Sequence, residues 1–139
     1  MASNTIEQAL SVTLNASTAV VSTGRANAVH YMRVPSTEGL PYISYFGVDG
    51  ENLAMQYNST GHGDDVAQPL FQFDIWDKDR YKANLIAHDL IKTLNRFKGS
   101  MDGINVVNIG CRGPRQLTEP ERSKLFHFVV EADIEYERA

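Results

Sequence analysis

The spacing of apolar residues changes period in the middle of this 139-residue chain. Over residues 70–76 it alternates. Phe71, Phe73 and Ile75 take one face and Leu70, Gln72, Asp74 and Trp76 the other, as in a half-buried strand. From Arg80 the interval lengthens, and Ala83, Ile86, Ala87, Leu90, Leu94 and Phe97 fall on one helical stripe. Asp77-Lys78-Asp79 is the turn between them, with aspartates suited to accept hydrogen bonds from the amides that open a helix. Gly99 supplies a stop. A strand that runs straight into a long amphipathic helix needs a sheet for that helix to lie on.

The flanking sequence predicts that sheet. Asn4-Thr5-Ile6-Glu7 matches a capping box, opening a short helix over 4–16 whose stripe is Ile6, Ala9, Leu10, Thr13 and Leu14. Strands are expected at 19–22, 29–34 and 40–48, with an Asp49-Gly50 hairpin turn returning through 53–57. Residues 58–65, NSTGHGDD, read as an exposed polar loop. A further strand spans 104–111, with Val107, Ile109 and Cys111 on one face and Ile104 and Val106 on the other. Residues 112–120, with two prolines and two arginines, read as a loop. The cleanest alternation covers 124–136. Phe126, Phe128, Val130, Ala132, Ile134 and Tyr136 face one way, and His127, Glu131, Asp133 and Glu135 the other. These elements predict one α+β domain over residues 1–139. It has an antiparallel or mixed sheet, a short N-terminal helix and one long central helix packed on one face.

Composition and charge narrow the function. Hydrophobic content of 42% and charged content of 22% are those of a soluble globular domain. A net charge of −4 argues against broad adhesion to nucleic acid, which needs a cationic field. One cysteine, Cys111, excludes an intrachain disulfide, and no secretory signal or apolar run of membrane length is visible. His30, His62, His88 and His127 have no second ligand at a metal spacing. Asp74, Asp77 and Asp79 lack the glycine and distal glutamate of an EF-hand loop. Phosphate-loop and nucleophile-elbow motifs are missing, and Cys111 sits at the end of an apolar strand as a core residue would. Asn15-Ala16-Ser17 and Asn58-Ser59-Thr60 match the glycosylation pattern without a secretion route to use it. The expectation is a protein that is not an enzyme and has no cofactor.

Two features exceed a generic domain. Tyr42, Phe46, Leu70 and Trp76 place large apolar groups on a second strand face, where aromatic residues suit a subunit interface. Glu131, Asp133 and Glu135 form a row of like charges that must meet water.

Leu40-Pro41-Tyr42-Ile43 opening one strand, Ile75-Trp76 closing another, a helix dense in Ala, Ile and Leu, and Arg112 ahead of a final strand resemble the tail-completion and tail-terminator proteins of long-tailed bacteriophages. The resemblance covers about Val29 to Tyr136. It implies a virion protein assembled in the host cytoplasm, a homo-hexameric ring at the head-proximal end of the tail. That ring caps the tail tube and joins it to the head–tail connector and neck proteins, and DNA only passes through its lumen. It implies no catalytic residue, cofactor, metal or membrane contact. In such a ring Glu131, Asp133 and Glu135 are expected to face the lumen, Tyr42, Phe46, Leu70 and Trp76 a neighbouring subunit, and Asn58, His62, Asp64 and Asp65 a partner ring. A head-completion or neck ring is the nearest alternative. A small metal- or ligand-binding α+β domain, holding a cation near His62, Asp64 and Asp65, is the alternative from another class.

Overall fold

A computed structural model describes residues 5–32, 39–48, 66–117 and 125–137. The expected return strand at 53–57 and the loop at 58–65 lie outside them. Helix α1 (Ile6–Asn15) starts one residue later than the capping box suggests. Thr5, not Asn4, is the N-cap, and its hydroxyl accepts from the Gln8 amide. Ser11, Val12 and Thr13 each cost the helix a few tenths of a kcal/mol in propensity. Buried Ile6, Leu10 and Leu14 each return about 1.5–3 kcal/mol, so docking decides that α1 persists.

The sheet contains β1 (Val29–Tyr31), β2 (Tyr42–Gly47), β3 (Val66–Ala67), β4 (Leu70–Asp77), β5 (Gly99–Met101), β6 (Ile104–Leu117) and β7 (Phe126–Glu137). Its order is β1-β2-β4-β7-β6-β5, and β3 pairs with β7 beyond the end of β4. Only β1–β2 is parallel, which makes the sheet mixed. Residues 19–22, expected as a strand, instead form turns with a single bridge between Val21 and Ala26.

Helix α2 (Arg80–Leu94) follows β4 after one turn. Asp79 caps it by accepting from the Tyr81 and Lys82 amides. Asp77 takes no part in that cap; its carboxylate is buried and accepts from the Lys78 amide. The helix ends before Phe97, where Asn95 turns extended and Arg96 adopts a positive φ. Strand, not a central helix, dominates the described residues. α2 lies over β4, β6 and β7, while α1 touches β1 and also β5 at the opposite end of the sheet. The sheet therefore curls so that both of its ends reach α1. Ile43, Tyr45, Phe71, Phe73, Ile75, Val130, Ala132 and Ile134 fill the curl beneath the helices.

Two bulges redraw β6. Val106 pairs with Tyr136 and Asn108 with Glu135, so Val107 is the extra residue, and Val106 and Ile109 share the core face. Strict alternation had put them on opposite faces. The loop expected at 112–120 is strand as far as Leu117, because Gly113-Pro114 is absorbed as a second bulge between Arg112 and Arg115. Gly113 has φ +110, and a Cβ there would meet the Val129 carbonyl at 2.8 Å. Only glycine fits.

The outer edge of β1 is held by a side chain. Asn15 Nδ2 donates to the Val29 carbonyl (2.9 Å), and the Val29 amide donates to Asn15 Oδ1 (3.0 Å), a substitute for a paired strand. Asn15→Ala leaves both backbone groups without that partner and is expected to lower stability by about 1–3 kcal/mol, read by urea denaturation.

Candidate functional site

Both helices cover one face of the sheet, and every strand residue singled out from the sequence as an interaction candidate lies on the other. Strand register arranges that outer face in rows. Tyr42, Trp76, His127 and Leu117 form one row across β2, β4, β7 and β6. The next holds His30, Ser44, Asp74, Val129 and Arg115, and the one after it Phe46, Gln72, Glu131 and Arg112. Beyond that, Leu70 and Gly110 flank Asp133, and Asn108 flanks Glu135. The residues expected at a subunit interface and those expected to line a lumen are thus neighbours on adjacent strands. Asn58, His62, Asp64 and Asp65 fall outside the described residues.

Glu131, Asp133 and Glu135 stand about 7 Å apart along β7, each half-buried. At that spacing repulsion through water is about 0.6 kcal/mol per adjacent pair, small enough to persist while the column stays wet. Arg112 is the register partner of Glu131, whereas Asp133 and Glu135 are opposite uncharged Gly110 and Asn108.

Toward the other end of the face the polar groups are buried. His127 Nε2 lies 2.7 Å from Asp74 Oδ1, and Gln72 Nε2 donates to the same oxygen at 3.0 Å. A carboxylate only accepts, so against ionised Asp74 the Nε2 of His127 carries the proton. Trp76 stacks on the imidazole with centroids 3.9 Å apart and planes 13° from parallel. The sequence marked His127 as a polar-face residue of the last strand and Asp74 as one of β4; only the strand register shows that they meet. A fixed imidazole–carboxylate pair can orient a nucleophile's base. Here it also satisfies two polar side chains that the sheet has taken out of water.

Tyr42, Phe46, Leu70 and Trp76 are half-buried within the single subunit. The large apolar side chains that are exposed are different ones: Val12, Tyr31, Met32, Val48, Tyr81 and Leu85. Tyr81 and Leu85 follow an i, i+4 interval off the buried stripe of α2, a spacing legible in the sequence but left unread. On the helix face, one oxygen of Asp77 is buried without a hydrogen-bond partner, and Arg25 Nε lies 2.8 Å from Asp89 Oδ2, tying the segment after α1 to α2. Cys111 is half-buried, and burial pushes its thiol up to about 11. Among the described residues no group of three or more His, Cys, Asp or Glu side chains is placed to hold a metal ion. None of their helices is long and apolar enough to cross a membrane.

Asp74→Ala strips His127 of its acceptor and is expected to cost about 2–3 kcal/mol. Replacing Asp74 and His127 together by leucine should cost less than the sum of the single changes, measured as a double-mutant cycle in urea. Cys111 should hold roughly 100-fold less thiolate at pH 8 than an unhindered cysteine, so it reacts slowly with a disulfide reagent until the chain unfolds. Because its folded pKa lies above the unfolded value, its contribution to stability is complete below pH 9 and lost as pH rises toward 11. No protein-family model matches this sequence, and no curated protein matches it.

Proposed function

We propose that this chain is a structural ring subunit of a bacteriophage tail, a tail-terminator or tail-completion protein that assembles as a hexamer, caps the tail tube and joins it to the head connector. The observation that carries the reading is the outer sheet face, which neither of the described helices covers, with its column of Glu131, Asp133 and Glu135. With that face turned inward, the column gives the lumen a sign that repels a passing polyanion. The half-buried apolar flank of Tyr42, Phe46, Leu70 and Trp76 then lies beside the lumen wall and adds to the neighbouring subunit's contact at its rim. The 58–65 loop, with Asn58, His62, Asp64 and Asp65, serves the adjoining ring. On this reading the protein is not an enzyme and needs no cofactor, and its place is in the virion, at the head–tail interface.

Particles made without the chain separate this reading from its relatives. A terminator is expected to leave tails of uncontrolled length unattached to heads, whereas a neck ring leaves tails of normal length without heads. Normal joined particles would sink both. The lumen assignment has its own check. Reversing the charge at Glu131, Asp133 and Glu135 to lysine should leave tail length unchanged and lower infectivity at least about tenfold, as DNA adheres to the new cations. A ring reconstruction with these three residues on the outer rim would overturn it.

A further inference from the structure

Three of the exposed apolar side chains, Val12, Tyr31 and Met32, gather at one corner of the fold. Asn15 meets Val29, and the Tyr45 hydroxyl donates to the Glu7 carbonyl, so α1 runs antiparallel to β1. Val12 is consequently beside Tyr31, one turn back along the helix. The Met32 amide donates to the Tyr45 carbonyl at the end of β1. Met32 is 67% exposed. The amide and carbonyl of Val29 point away from β2 into the Asn15 side chain. Those of Tyr31, two residues on, point the same way, toward the open edge. Glu7 is the only charged residue of α1. The Tyr45 hydroxyl donates to the Glu7 carbonyl and Tyr31 packs against the Tyr45 ring with centroids 5.3 Å apart, so Glu7 belongs to this same corner.

A second apolar stripe lies on a different element. Tyr81 (80% exposed) and Leu85 (44%) continue into exposed His88 and Lys92 along the solvent side of α2. Lys78, Arg80, Lys82 and Lys92 flank it, against Asp79 and an Asp89 already ion-paired with Arg25. The stripe is cationic within a chain of net charge −4.

We propose that copies of this chain join head to tail, the apolar, acidic β1 corner of one seating on the apolar, basic α2 stripe of the next. The opposite signs and the separate elements favour a second copy as the occupant. A head-to-tail contact uses two different patches on every subunit, and closing the circle leaves neither exposed. This seam rests on the ring reading for its closure. It lies on different surfaces from the outer sheet face, which stays open toward the lumen.

The contact is tested by Met32→Asp and Leu85→Asp, each at an exposed position, with circular dichroism and unfolding midpoints confirming intact folds. In light scattering the wild-type chain is expected to associate, and each variant alone to associate roughly 100-fold more weakly. Mixed, the two variants should form a one-to-one dimer, because one retains the corner and the other the stripe. Raising salt from about 50 to 500 mM should weaken wild-type association several-fold. Wild-type assemblies whose mass survives both substitutions would overturn this seam and leave the ring with its contact elsewhere. A two-fold dimer that both variants dissociate and mixing does not restore would overturn the seam and the ring together. A wild-type chain that stays monomeric up to about 1 mM would overturn the seam alone, since assembly would then depend on the tube.

Discussion

Everything in this fold depends on the pairing of β7 along both of its edges. β4 and β3 bind one side from Phe126 to Glu137, and β6 binds the other from His127 to Tyr136. A strand flanked on both sides has no spare backbone groups to solvate, so its alternation alone decides what lies above and below the sheet. Phe128, Val130, Ala132, Ile134 and Tyr136 point into the curl, where α2 covers them. The intervening residues are then forced outward, which is why His127 and the three carboxylates share one face. A one-residue slip of β7 would drive those carboxylates into the core and expose its apolar set. The register that builds the core thus also builds the outer face.

That outer face is two environments on one scaffold. At the His127 end the strands bring Asp74, Gln72 and Trp76 around an imidazole, and every polar group named there has a partner. Toward Glu135 the register neighbours on β6 shrink to Gly110 and Asn108, and the carboxylates are only half-buried. The difference follows from side-chain size on the flanking strands. Trp76 and Leu117 enclose His127, whereas nothing so large stands beside Asp133 on β6. The first region is closed and specific, and the second is open and electrostatic.

Where side chains alternate without interruption, the sequence was a sufficient guide. The faces of β4 and β7, the core stripe of α2 and the α+β class follow from period; that the sheet is mixed rather than antiparallel rests on the β1–β2 pairing. It misled where one residue changed the count. The Val107 bulge inverts parity within β6, and Gly113-Pro114 reads as loop because those residues normally interrupt strands, yet a bulge lets the strand carry them. Contacts between distant strands were also hidden. Asp74 and His127 are 53 positions apart, and no local pattern encodes their meeting. The curl that brings β1 and β5 to the same helix was equally invisible, since it arises from the accumulated bend of the whole sheet.

The sheet's margins argue for selective association. Beyond its short pairing with β5, β6 has no further strand partner among the described residues toward Leu117, and such an edge is a template on which a strand can add. Part of it is already occupied. The Arg96 amide donates to the Ile109 carbonyl, and the Cys111 amide to Asn95 Oδ1. The rest is bent by the Gly113-Pro114 bulge, which removes a donor, and carries Arg112 and Arg115. The β1 edge is treated differently. Asn15 blocks Val29, but the edge groups of Tyr31 lie among exposed apolar side chains and carry no comparable guard. An edge blunted throughout suits a protein that must stay single. A β6 margin blunted along its length, opposite a β1 margin with a short apolar opening among the described residues, suits a protein that accepts a neighbour at one place.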